Sequence, residues 1–488
     1  MPVTTTATPE SVLVHPDVPQ RQRWPARLWG ILAVLSLVLF LDGLDVSMVG
    51  VALPSIGDEL HLATSSLQWI VSGYVLGYGG LLLLGGRTAD LLGRRRVFLI
   101  ALAVFAVASL LGGLVDSGPL LIATRFIKGV SAAFTAPTGL SIITTTFAEG
   151  RMRNKALSIY TVFGASGYSS GLIFGGLMTG IGWRWTFLMP VPVALIALVA
   201  GYVLLPRGLP AAKGGHDILG ALTSTAAMLL LVYSLVSAPA RGWTGPVTLS
   251  LFAAVVVLLV AFVYVERRVA HPLIRLGILR KGTLIRANLA MVALFGSYTA
   301  FQFIVTLYLQ SVLGWAPLKM ALALLPTGLL VALSAPFAGT MIDRFGTSRF
   351  IVGGLAAMSA GYVLFLRIDT HPVYVVAILP TAILLGVGFA LGFPSINVQA
   401  TAGVGDDEQG LAAGLVQTAG QVGAALVLAI TTAIISSGGT PAHTAAGVLD
   451  EYRPGLVFTT FVAVGGLAMA LVPFVVRRRA VALATEER

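Results

Sequence analysis

Four ionisable residues stand inside long apolar stretches. Asp42 and Asp45 lie in the run that ends near Pro54, and Arg125 and Lys128 lie in the run that opens near Gly118. Within each pair the spacing is three, which puts both members on one face of a helix. An ionised side chain at the centre of a lipid-embedded helix costs about 2.5–3.5 kcal/mol on insertion scales, so such residues are functional candidates by default. Their depths also match. At the rise of a helix, Asp45 lies about 14 Å and Asp42 about 18 Å below the Pro54 end, while Arg125 lies about 10 Å and Lys128 about 15 Å below the Gly118 end. Side chains several ångströms long close those gaps, so the pattern predicts one neutral four-charge cluster between the first and fourth helices.

The chemistry such a cluster offers is reversible proton binding. Arg125 keeps its proton under all working conditions. Asp45 is the first choice for a proton carrier, Asp42 the second, and Lys128 can itself titrate when desolvated. Opening and closing a cavity changes both the solvation of a carboxylate and the charges around it, and these decide whether it holds a proton. A proton gradient can drive a conformational cycle in this way. The competing reading is a permanent ion pair that fastens two helices.

Other chemistries find little support. Gly167-Tyr168-Ser169-Ser170-Gly171 formally fits G-x-S-x-G, but that motif needs a strand–turn–helix with His and Asp partners, and here it lies in a Gly-rich apolar run with no His nearby. No phosphate-binding GxxxxGK[ST] is present, so the expectation is no enzyme and no ATP-driven pump. With 0 Cys and 6 His in no ligand spacing, the sequence predicts no disulfide, cofactor or metal site. The net charge of +11 is scattered in short clusters between apolar runs, not on a basic face, which argues against nucleic acid as a partner.

The elements that must position these residues follow from composition. The chain of 488 residues is 57% hydrophobic and only 10% charged. Apolar runs of about 20 residues recur throughout. An all-α polytopic membrane protein is expected, with fourteen transmembrane helices at about 28–54, 64–86, 97–115, 118–147, 156–180, 185–205, 217–237, 246–265, 284–311, 318–341, 350–366, 373–397, 409–436 and 456–476. Basic residues such as Arg94, Arg95, Arg96, Arg151, Arg153, Arg344 and Arg477 then fall on one side, which places both termini in the cytoplasm. Three patterns return in order, each about 255 residues later. Gly86-x3-Asp90-x2-Gly93-x2-Arg96 reappears from Gly339 to Arg349, the pattern from Gly129 to Pro137 from Gly386 to Pro394, and that from Ala156 to Gly167 from Ala412 to Gly423. Two parallel halves separated by two extra helices account for the offset. The expected organisation is a disordered tail (1–27), a six-helix bundle (28–206), two extra transmembrane helices with linkers (207–283), a second six-helix bundle (284–476) and a tail (477–488).

These motifs make the chain resemble the major facilitator superfamily, specifically its fourteen-span drug:proton antiporter branch, over about residues 28–476. The loop Gly86-Arg-Thr-Ala-Asp90-Leu-Leu-Gly93-Arg94-Arg95-Arg96 looks like the superfamily's gating loop. Asp45 followed by Ala52-Leu53-Pro54 resembles the branch's first-helix signature. Arg125-x2-Lys128-Gly129 resembles Arg-x-x-Gln-Gly with Lys for Gln, and Gly167-x3-Gly171-x3-Gly175-Gly176 resembles the antiporter-associated helix, with Leu172 where the family has Pro. Trp183-Arg184-Trp185 looks like an interfacial anchor. The resemblance implies secondary active efflux of amphipathic drugs or antibiotics, driven by proton antiport through alternating access. It also implies two halves related by a pseudo-twofold axis, a monomer, and residence in a bacterial cell membrane. A symporter or facilitator on the same fold, or a non-transporting sensor, are the alternatives. Tyr298, Phe301, Gln302 and Thr306, with Gln417, Gln421 and Asn397, are the expected lining of a substrate cavity, since aromatics with a few polar groups suit bulky amphipathic ligands.

Overall fold

Lipid offers backbone groups no hydrogen bonds, and every element among the described residues is helical. The computed structural model describes residues 24–148, 151–207, 218–269, 276–405, 408–436 and 444–486. Long helical segments follow in chain order: α1 (Ala26–Leu60), α2 (Thr64–Leu92), α3 (Arg94–Gly112), α4 (Gly118–Thr146), α5 (Arg151–Ile181), α6 (Trp185–Leu204), α7 (Ile218–Arg241) and α8 (Pro246–Glu266). They continue as α9 (Gly282–Val312), α10 (Pro317–Phe345), α11 (Thr347–Phe365), α12 (Tyr374–Thr401), α13 (Gln409–Ser436) and α14 (Ala445–Glu486).

Among the described residues, 12 helices are long and apolar enough to cross a membrane, where the sequence predicts fourteen. The two outside that set are α2, of 29 residues, and α5, of 31. The N-terminal tail lies outside the described residues up to position 23, as do Asp406 and Asp407. Several boundaries differ from expectation: α2 runs on to Leu92, α5 starts at Arg151 and α14 ends at Glu486, and two others have a visible cause. α1 runs through Pro54 to Leu60, because Ile56 and Gly57 are buried there, Gly57 beside Leu67 of α2. α14 begins at Ala445 because its first turns bury Leu449 and Tyr452 in the large apolar core.

The internal repeat is visible as a repeated packing scheme. α1 packs on α5, α2 on α4, and α3 on α4 and α6; in the same way α9 packs on α13, α10 on α12, and α11 on α12 and α14. The loop after α2 and the loop inside the second copy turn at matching glycines, Gly93 (φ 93°) and Gly346 (φ 84°), a conformation that L side chains rarely adopt. The first six helices meet the last six along α5–α10 and α2–α13. α7 and α8 pack on each other, and α7 leans on α2 and α13. α8 turns Val256, Val257, Val260 and Tyr264 outward, as a helix does when its outer neighbour is lipid.

Candidate functional site

Three of the four predicted charges meet in one buried knot. The Asp45 carboxylate on α1 takes Arg125 on one oxygen and Lys128 on the other, both from α4. Lys128 Nζ also donates to Ser109 Oγ on α3 at 2.9 Å, and Ser109 Oγ donates to the Phe187 carbonyl at 2.8 Å. Its ammonium lies over the Phe105 and Phe187 rings, 4.8 and 5.2 Å from their centroids. Arg125 Nε donates to the Ile70 carbonyl of α2 at 3.2 Å, and its guanidinium lies 4.8 Å from the Tyr74 ring centroid. Every charge in the knot therefore has a counter-charge and further donors or π faces, the condition for keeping ions out of water. Asp42 stands apart from it. Its hydrogen-bond partner among the described residues is Thr135, whose Oγ1 donates at 3.2 Å. Asp45 is 0% exposed, whereas Asp42 keeps 8% of its surface open. The charges form a triad with an attendant acid in place of the expected four-membered cluster, because both faces of the Asp45 carboxylate are enough to seat both cations.

What fixes Asp45 in place is the small face of α5. Gly167 stands against the Phe40 backbone of α1, Gly171 against Ser47 Oγ and Leu44, and Gly175 within 2.9 Å of Met48 Cα if it bore a Cβ. α1 is thus held between a glycine face on one side and the cations of α4 on the other. Small residues are the means by which helices in lipid gain close contact. Gly171→Ala puts a methyl group into the Leu44 backbone, so it is expected to lower stability by about 1–3 kcal/mol through overpacking. Gly180→Ala on the same helix meets nothing within 4 Å and is expected to be near neutral. Thermal melts of both purified variants check this; equal melting temperatures would remove the seating role.

The fourth glycine, Gly176, faces α10, where a Cβ would come within 2.7 Å of Leu318 Cα. Nearby an aromatic seam joins the first and last six helices. Tyr298 of α9 lies 6.1 Å from Tyr168 of α5 and 5.0 Å from Phe389 of α12, centroid to centroid. Phe389 stacks on Phe393 at 5.5 Å, and Phe295 joins both. Gln417 Nε2 of α13 donates to Asn397 Oδ1 at 3.4 Å. Gly43, next to Asp42, packs on the α5 backbone, where a Cβ would lie 3.1 Å from the Tyr168 nitrogen. Of the expected lining residues, Tyr298 sits in this seam and Gln302 is half-buried. Gln421 is buried beside Gly79 of α2. Phe301 turns the other way, onto Tyr362 and Phe365 of α11 at 4.8 and 4.9 Å, and Thr306 is sealed. Tyr168, Phe295, Phe389 and Phe393 join the seam without belonging to the expected lining. A usable signal existed: Phe389, Phe393 and Asn397 recur every four residues and share one face.

Of the residues assigned to a gating loop, Gly86 lies within α2, Gly93 makes the turn and Arg94 and Arg96 open α3, while the Asp90 side chain lies outside the described residues. The firm anchor of this turn is Arg95, which donates to the Tyr202 carbonyl of α6 at 2.6 Å and lies 5.1 Å from that ring centroid. Trp183 is no interfacial anchor. It is buried, donates to Glu59 Oε2 at 2.9 Å and packs edge-on to Phe187, while Arg184 bridges Glu59 and Asp116. Trp185 alone of that motif's tryptophans is exposed. Among the described residues no group of His, Cys, Asp and Glu could hold a metal ion.

Comparison with known proteins identifies the family and the fold. The chain is 38% identical over 468 residues to a puromycin resistance protein of Streptomyces alboniger, covering 92% of this chain and 90% of the relative. It is 36% identical over 432 residues to a cephamycin export protein of Amycolatopsis lactamdurans, covering 87% and 89%. In fold it matches the crystal structure of the POT family transporter PepTSo, with a TM-score of 0.66 at 18% identity, over 92% of this chain and 98% of that one. A D-xylose-proton symporter matches with a TM-score of 0.64 at 16% identity, over 91% and 97%. With the Major Facilitator Superfamily profile also matching residues 35–428, the chain belongs to that superfamily of membrane transporters and is not an enzyme.

Proposed function

We propose that this protein exports amphipathic, antibiotic-like molecules from a bacterial cell in exchange for protons, working by alternating access as a monomer. The relatives named for puromycin resistance and cephamycin export support the direction and the cargo class. Fourteen spans arranged as six, two and six carry the process. α2 and α5 complete the fourteen: α2 lies along α4, and α5 along α1, both partners being membrane-length helices. The bundles then cover about 28–206 and 284–476, the extra pair 207–283, and the arginine-rich loops keep both termini cytoplasmic. The gating loop from Gly86 to Arg96 steadies the inner ends.

The observation that carries the proton coupling is the placement of the two α1 acids. Asp45 is sealed and saturated by two cations, whereas Asp42, on the same helix, has the neutral Thr135 as its hydrogen-bond partner and is the more exposed of the two acids. A carrier must exchange protons with water and sense cargo. Among the described residues Asp42 pairs with no cation, so it takes this role, with Asp45, Arg125 and Lys128 as the fixed charges around it. Inside-out vesicles with an acidified lumen test the reading. Puromycin, ethidium and a cephamycin should accumulate, and a proton ionophore should abolish the accumulation. Co-directional movement of drug and protons would identify a symporter and overturn the proposal.

A further inference from the structure

The outer end of α9 departs from regular helix at Tyr308–Val312, where it widens into a π-turn. The Leu313 nitrogen donates to the Tyr308 carbonyl at 3.0 Å, the Trp315 nitrogen to the Leu309 carbonyl at 2.9 Å, and Gly314 (φ 62°) ends the helix. Single π-turns recur where a helix must redirect one side chain for function. Here that side chain is Gln310. Its Nε2 crosses from the last six helices to the first six and donates to the Val51 carbonyl of α1 at 2.7 Å. Val51 precedes Pro54, and a proline inside a helix removes one rung of the backbone ladder and loosens the turn before it. A carbonyl has a second lone pair to offer.

At the same level the seam is shut by contact. A Cβ on Gly176 of α5 would lie 2.7 Å from Leu318 Cα and 3.0 Å from Ala321 Cβ of α10. Immediately beyond lies a pocket of about 370 Å³, lined from both sides by Pro54, Ser55 and Asp58 of α1 and by Gln310, Ser311 and Trp315. We infer that Gln310 is the bolt of the outer gate: its bond to Val51 holds the seam closed, and the pocket above it is the mouth through which cargo leaves. The inference rests on the export reading for the word cargo, but the bolt can be tested without any transport.

The cysteine-free sequence supplies the assay, because one introduced thiol is read with no background. A Cβ at Gly50, just below the bolt, would meet nothing within 4 Å, so Gly50→Cys fits; Ser55→Cys reports the pocket above. Intact cells are treated with a membrane-impermeant maleimide, with and without Gln310→Met, which keeps the volume and removes the donor. An ordinary hydrogen bond shifts a two-state equilibrium by roughly 2- to 10-fold. Gly50→Cys should therefore label that much faster in the Gln310→Met background, while Ser55→Cys labels equally in both. Equal labelling of Gly50→Cys with and without the donor, or a Ser55→Cys that never reacts from outside, overturns the inference. Should Gly50→Cys not reach the membrane, Val46→Cys, one turn further in on the same half-buried face of α1, reads the same side of the bolt. Proton-driven drug accumulation by the unmodified protein, run alongside, tells a failed bolt from a failed export reading.

Discussion

Asp45→Asn is expected to abolish proton-driven export and to destabilise the protein, and Lys128→Gln added to it is expected to restore part of both. The single variant leaves Arg125 and Lys128 buried with no carboxylate between them. Breaking a buried ion pair from one side typically costs about 3–5 kcal/mol, because a charge is left uncompensated. The freed Lys128 then has one acid left within the bundle wall, Asp42, and a salt bridge there occupies the site a proton would use. Removing Lys128 as well leaves one buried cation, Arg125, which keeps the Ile70 carbonyl and the Tyr74 ring, and a Gln at 128 can still hydrogen-bond Ser109, the present partner of Lys128. Thermal melts and vesicle transport of the two single variants and the double variant form a cycle in which the coupling energy is read directly. If Asp45→Asn melts like the unmodified protein, the knot does not hold the bundle. If the double variant folds well yet never transports against a gradient, Asp45 itself carries the proton.

The charge knot was legible in the sequence because lipid makes its residues conspicuous. Asp45, Arg125 and Lys128 are expensive where they stand, and their depth along two helices follows from the rise alone. The share of each acid was not legible. Which of Asp42 and Asp45 takes the cations depends on the rotation of α1, and that rotation is set by Gly167 and Gly171 seating on Phe40 and Leu44. The three-pattern repeat foretold a packing scheme that α1–α6 and α9–α14 share, since equal motifs bury equal faces. Composition could not separate Trp183 from Trp185, because only the fold places Glu59 and Asp116 around Arg184 and draws Trp183 inward. The aromatic seam was half visible: Tyr298 was marked, but Phe301 points to α11 and its place is taken by Phe389, on a helix nearly a hundred residues away. Gln310 carried no signal at all, since a π-turn follows from the closing of the seam and not from local sequence.

Asp42→Asn is expected to leave the fold intact and uncouple transport. Asn has the size of Asp, and its carbonyl oxygen can still accept from Thr135, whose bond to Asp42 is 3.2 Å long. No cation loses a partner, because both cations sit on Asp45. The melting temperature should therefore stay close to that of the unmodified protein, in contrast to Asp45→Asn. What disappears is the ability to bind and release a proton. A pH difference of one unit supplies about 1.4 kcal/mol per proton, enough for roughly a tenfold drug gradient at one proton per cycle. Vesicles carrying the unmodified protein should build a gradient of that order, and those carrying Asp42→Asn should stop at equal concentrations while still passing drug downhill. A pH-sensitive dye in the lumen gives the complementary reading, with proton release on drug addition in the first case and none in the second. Drug-dependent proton release by a well-folded Asp42→Asn would move the coupling site back to the triad, where Lys128, lodged between Asp45 and Ser109, is then the group left to titrate.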